Sequence, residues 1–197
     1  MKPIYFIIFG IIIIIAICSY YLYTRSHVAA ATVSQQNSSQ YKLADTYMSL
    51  RGQAFKATSS ECGQTVMENE SYGAIIEIGM DAGIDTIVVF KSGDASMYFS
   101  NGGGYIGGAG HQNIRDAAIR TVAMAQDQIA RMKPTARFPI VAQGNVRVYV
   151  LTPNGIYYDE AELGTVFDKD SAARVIFGSI QDVIHGFMQL DEKQKKP

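Results

Sequence analysis

The sequence predicts an α+β domain, an antiparallel sheet of about five strands with helices packed on it, preceded by one N-terminal transmembrane helix. Three observations carry this. Ile4 to Tyr23 is almost purely apolar and holds no charge. Beyond it, short β-type runs are separated by turns of only a few residues, and strands joined so tightly must run antiparallel. Around and between them lie stretches with apolar residues at helical spacing. The order is α-βββ-α-ββ-α, which belongs to the α+β class.

The first element is the apolar run. A hydrocarbon core about 30 Å thick takes roughly 20 residues of apolar helix, and Ile4–Tyr23 has that length. In lipid the backbone can bond only to itself, so a helix forms despite the isoleucine run at 11–15. Tyr20, Tyr21 and Tyr23 cluster at one end, where amphipathic rings favour the interface, and Arg25 stops the segment. A cleaved secretory signal has a shorter apolar region of about 7–15 residues, although Ala29-Ala30-Ala31 offers small residues to a peptidase. A lipoprotein reading through Cys18 meets Ile17 where a small residue is expected. The expected organisation is an anchor at 1–25, a flexible polar tether at 26–40 (SHVAAATVSQQNSSQ), one domain at 41–190 and a polar tail at 191–197. Membrane lipid is thus the expected partner of Ile4–Tyr23. The α-amino group and Lys2 before the span slightly outweigh Arg25 after it, which leans the domain to the extracytoplasmic side.

Outside Lys2 and Arg25 the chain carries 15 basic and 18 acidic residues, a net charge of −3. Such a balance has no electrostatic reason to hold a polyphosphate backbone, so no nucleic acid is expected as partner. Cys62 is the only thiol beyond the apolar run, and the three histidines, His27, His111 and His185, are scattered. Neither a disulfide framework, a metal site nor a cofactor follows from such a set. Cys62 reads as a small buried or half-buried thiol.

Within the domain, Leu43, Tyr47, Leu50 and Ala54 recur at helical steps in a helix over 41–56, with Arg51 and Lys56 on its other sides. A loop follows over 57–71. Strands are expected at 72–80, where Ile76 and Ile78 flank Glu77, at 86–90, a β-branched run typical of a strand covered on both faces, and at 95–100. Glu77, Asp81 and Asp85 flank one hairpin but lack the dense oxygen spacing of a calcium loop, so they read as a solvated hairpin end. After a glycine-rich loop, Ile114, Ala118, Val122, Ala125, Ile129 and Met132 line one face of a helix that Pro134 ends. Strands at 145–151 and 156–160 enclose Asn154-Gly155, the strongest hairpin signal in the chain. Ser171 is placed to cap a last helix with Ile176, Ile180, Val183, Ile184 and Phe187 inward. Gly178 and Gly186 fall on nearly one side of it and suit close packing on a sheet.

This content resembles the profilin-like group of scaffolds, including roadblock and longin modules, although those usually place the middle helix after two strands. The block SMYFSNGGGYIGGAGH, followed by a helix and RVYVLTPNG, is similar to a family of small uncharacterised bacterial proteins. That similarity covers roughly residues 72–188 and implies a shared fold, without an activity.

The segment Asn101–His111 is the one place where composition demands a reason, with six glycines in nine positions. Asn101, Gly102, Gly103, Gly104, Gly107, Gly108 and His111 are the candidate ligand-binding residues. Gly102-x-Gly104-x-x-Gly107 matches a dinucleotide fingerprint, and bare N–H groups beside a helix start can hold an anion. The fingerprint, however, needs a parallel βαβ unit and an acidic residue about 20 positions on. The competing reading is conformational: glycines allow φ > 0 and tight passage along a sheet edge. His111 is expected to help cap the following helix. As an acid/base it would need a nucleophile or an orienting carboxylate, and Ser100, Asn101 and Asp116 are the residues nearby in sequence. Tyr98, Tyr105, Tyr149, Tyr157 and Tyr158 mark either a contact face or sheet packing. No catalytic set emerges. The favoured function is a membrane-tethered, non-enzymatic binding or assembly module for a protein partner or a second copy. The alternative is a small enzyme or anion- or nucleotide-binding protein that uses loop 101–111.

Overall fold

A computed structural model of the chain describes residues 41–164 and 171–194. The expected span Ile4–Tyr23, the tether at 26–40 and the end of the tail lie outside them. Among the described residues no helix is long and apolar enough to cross a membrane.

The elements run α1 (Asp45–Lys56), β1 (Gly73–Gly79), β2 (Ile84–Phe90), β3 (Ala95–Phe99), β4 (Gly104–Ile106), α2 (Gln112–Gln128), β5 (Lys133–Thr135), β6 (Asn145–Thr152), β7 (Gly155–Glu162), α3 (Ala172–Ser179) and α4 (Gln181–Gln194). The fold is α+β, with one sheet ordered β4-β3-β2-β1-β6-β7-β5 and every neighbouring pair antiparallel. The sheet has seven strands where the periodicity shows five. The two extra strands, β4 and β5, are three residues long and lie at the two edges. Such short pairings leave no alternating pattern to read; one is hidden among glycines and the other contains Pro134. The expected last helix is two helices that meet at Ile180.

Both faces of the sheet are covered. Ala74, Ile76 and Ile78 of β1, with Ile87, Met97 and Val148, face α2, α3 and α4. Ile75, Val88, Tyr98, Tyr149 and Leu151 form a second cluster with Tyr47 and Ala54 of α1 and with Val141 of the connection between β5 and β6. β1 is therefore buried at every position, although its side chains alternate between two different cores. Glu77 is 0% exposed, so it is no part of a solvated hairpin end. Arg51 is buried as well, at i+4 from Tyr47 on the same helix face, because its partner lies across the core.

Two end devices differ from expectation. Ser171 holds the N-cap position of α3 but makes no capping bond itself; the carboxylate of Asp159, from β7, accepts from Ser171 Oγ and from the Ala173 amide, both at 3.0 Å. A strand thus ties down a helix start. Gly186 packs on a helix and not on the sheet: a Cβ there would lie 2.5 Å from Ile114 Cγ1, whereas Gly178 faces open space. Cys62 is a free, half-buried thiol, which burial pushes to a raised pKa.

Candidate functional site

The glycine-rich segment folds as the return of an edge hairpin. β3 ends at Phe99, the chain turns through Ser100–Gly103, and β4 pairs back with Tyr98↔Gly104, Met97↔Tyr105 and Ser96↔Ile106. Four positions need glycine, three for conformation and one for space. Gly102 and Gly107 have φ of +96° and +85°, in the left-handed region. Gly104, at φ +153°, runs against the β3 backbone, where a Cβ would collide with the Met97 carbonyl. Gly108 is needed for space: a Cβ would lie 2.7 Å from Ile114 Cγ2 and 3.0 Å from the Ala95 carbonyl oxygen.

Four of the amide groups that could cradle an anion are used within the turn. Gly102 N donates to Phe99 O at 2.8 Å and Gly103 N to the Asn101 side-chain oxygen at 3.0 Å. Gly110 N donates to Gly107 O and His111 N to Gly108 O. The Arg115 guanidinium, one turn into α2, donates to the Ala109 carbonyl at 2.9 Å through Nε and pins the segment from the helix side. A glycine loop for phosphate presents such donors outward; here they close the turn.

The other sequence candidates are not brought together. His111 sits at the N-cap position of α2, but its side chain makes no capping bond, and among the described residues its ring meets no carboxylate or hydroxyl. Asn101 lies in the turn before β4 and His111 beyond its far end. Ser100 is buried, where its hydroxyl accepts from the Ile84 amide at 2.9 Å. Asp116 is exposed on α2. Among the described residues no group of three or more His, Cys, Asp or Glu side chains could hold a metal ion. Tyr98 and Tyr149 are core residues, and Tyr105 stacks on Phe187 at 5.6 Å between ring centroids; sheet packing accounts for all three.

Sequence reading missed a charged row across the α1 face. Register places Thr86, Glu77, Arg147 and Glu160 side by side on β2, β1, β6 and β7. Arg51 reaches down from α1 to both Glu77 oxygens and also donates to Phe138 O (3.0 Å) and Pro139 O (3.2 Å). Arg147 donates to Glu160 and, at 2.8 Å, to the same Pro139 carbonyl. Tyr47 hydroxyl bonds Thr86 Oγ1 at 2.9 Å, and burial with the nearby Glu77 charge pushes its pKa up to about 12. Every charge in the row has a partner, which makes this a clamp holding α1 and residues 138–139 to the sheet. The signal in the sequence was a lone carboxylate, Glu77, inside the strand IIEI.

The exposed parts of the segment lie at the sheet edge. Phe99 N bonds Gly103 O, so residues 103 and 105 bond inward and the N–H and C=O groups of Gly104 and Ile106 point away from β3. Ile106 is 70% exposed beside them. No family model matches this chain, and no curated protein or solved structure matches it either.

Proposed function

We propose that the chain is a membrane-tethered, non-enzymatic binding or assembly module that takes an extended segment of a protein partner, or of a second copy, along β4. The charge-free run Ile4–Tyr23, closed by tyrosines and Arg25, supports the anchor. The polar stretch at 26–40 supports a tether long enough to let the domain reach a neighbour.

The observation that carries the docking edge is the contrast between the two ends of the sheet. β5, Lys133-Pro134-Thr135, bears a lysine and a proline, the devices that keep an edge from pairing. β4, Gly104-Tyr105-Ile106, bears neither and exposes an isoleucine. An edge of that kind supplies main-chain bonds and one apolar anchor to an added strand. A photo-crosslinking residue placed at Ile106 or at Thr135 in the full-length, membrane-embedded chain tests this. Adducts at 106 and none at 135 are expected; equal yields, or none at 106, would refute the edge.

A further inference from the structure

A groove of about 450 Å³ opens between the β3–β4 end of the sheet and α4. Its floor follows from register. Asp85 is paired across β2–β3 with Phe99, and Met97 across β3–β4 with Tyr105, so the four side chains project from one face in two adjacent rows. The Phe99 and Tyr105 rings meet edge to face at 5.9 Å between centroids. The wall comes from α4, where Ile184, Met188 and Asp191 recur at steps of four and three on one helix face.

The polar group on the sheet floor of this hollow is the Asp85 carboxylate. It is half-buried and has neither hydrogen-bond nor ion-pair partner among the described residues. Burial pushes its pKa up, with no cation acting against that. A carboxylate half removed from water without a partner is unfavourable for the fold, in contrast to Glu77 on the other face, which is fully paired. The aromatic rings of Phe99 and Tyr105 and the thioether of Met188, which is 58% exposed, line the same groove. Aromatic faces attract cations, and methionine adapts to apolar shapes. A second carboxylate, Asp191, lines the helix side.

We infer that this groove binds a small organic cation with an apolar body, its ammonium group on Asp85 and its body against Phe99, Tyr105 and Met188. The charge of the lining selects a cation, and the volume falls in the range of small-molecule sites, about 300–1,000 Å³, which favours a free amine over a length of peptide.

Calorimetric titration of the detergent-solubilised full chain tests this with phenethylamine, its neutral counterpart 2-phenylethanol and acetyl-lysine-N-methylamide. Phenethylamine is expected to bind saturably. Replacing it by 2-phenylethanol, or Asp85→Asn in the protein, should each weaken binding by about tenfold or more, the loss of one charge-assisted hydrogen bond. Met188→Lys, at an exposed position where the fold tolerates change, should abolish binding because it places a competing ammonium group in the groove that Asp85 lines. Absence of saturable binding, equal affinity for the alcohol, or unchanged affinity in both variants would overturn the site. Binding of the lysyl compound without phenethylamine would overturn the small-molecule assignment and point to a protein's basic side chain.

Discussion

Arg51 and Glu77 form a two-pronged ion pair between α1 and the centre of the sheet, Nε to Oε1 at 2.5 Å and the second nitrogen to Oε2 at 3.0 Å, with both side chains almost wholly buried. The same guanidinium donates to the carbonyls of Phe138 and Pro139 and lies 4.9 Å over the Phe55 ring. One side chain therefore joins a helix, a strand and a connection that are far apart in sequence.

Breaking that pair is expected to be worse than deleting it. Glu77→Gln or Arg51→Met alone leaves one buried charge uncompensated, a loss of about 3–5 kcal/mol, whereas the double variant Arg51→Met/Glu77→Leu should recover most of it. Urea unfolding followed by circular dichroism measures all three. A double variant as unstable as the sum of the singles would show that the two side chains contribute independently and would refute the coupling.

The glycines of the edge hairpin should separate by geometry. Gly104→Ala and Gly108→Ala should each destabilise by about 1–3 kcal/mol, the first through φ and backbone collision, the second through overpacking against Ile114. Gly110→Ala, with open space around its Cβ, should be near neutral. Phosphate should not raise the melting temperature of the wild type. A thermal-shift series reads all of these, and a phosphate-dependent rise lost in Gly104→Ala would restore the anion reading.

Asp85 should cost stability above acidic pH. Burial raises its pKa above the usual aspartate value of 3.8. The folded state then keeps the proton to higher pH than the unfolded chain, so this contribution is full below pH 3.8 and is lost as pH rises through the folded value. Asp85→Asn should melt above the wild type at neutral pH, and the gap should close on acidification. Scanning calorimetry across that range checks it; a gap independent of pH would refute the assignment.

The charge-free run Ile4–Tyr23 lies outside the described domain, which begins at Tyr41. Deleting residues 1–25 is expected to yield a soluble, folded chain, while the full-length protein stays with membranes through carbonate extraction. An insoluble truncation, or a full chain released by carbonate, would remove the anchor from the proposal.

The sequence by itself determined what depends on neighbours along the chain. The β-branched run of β2, the Asn154-Gly155 hairpin and the apolar face of α2 were legible because period and turn chemistry are local. The conformational role of Gly102, Gly104 and Gly107 was one of two open readings, and it needed φ values and backbone distances to be chosen. Only the tertiary structure decided the rest. Period two assigns Glu77 to the face opposite Ile76 and Ile78, but says nothing of α1 and residues 138–142 covering that face. β4 and β5 are strands through their partners, since three residues carry no period of their own. Asp85, Phe99, Tyr105 and Met188 meet because antiparallel register and the path of α4 bring together four segments that no spacing in the sequence connects.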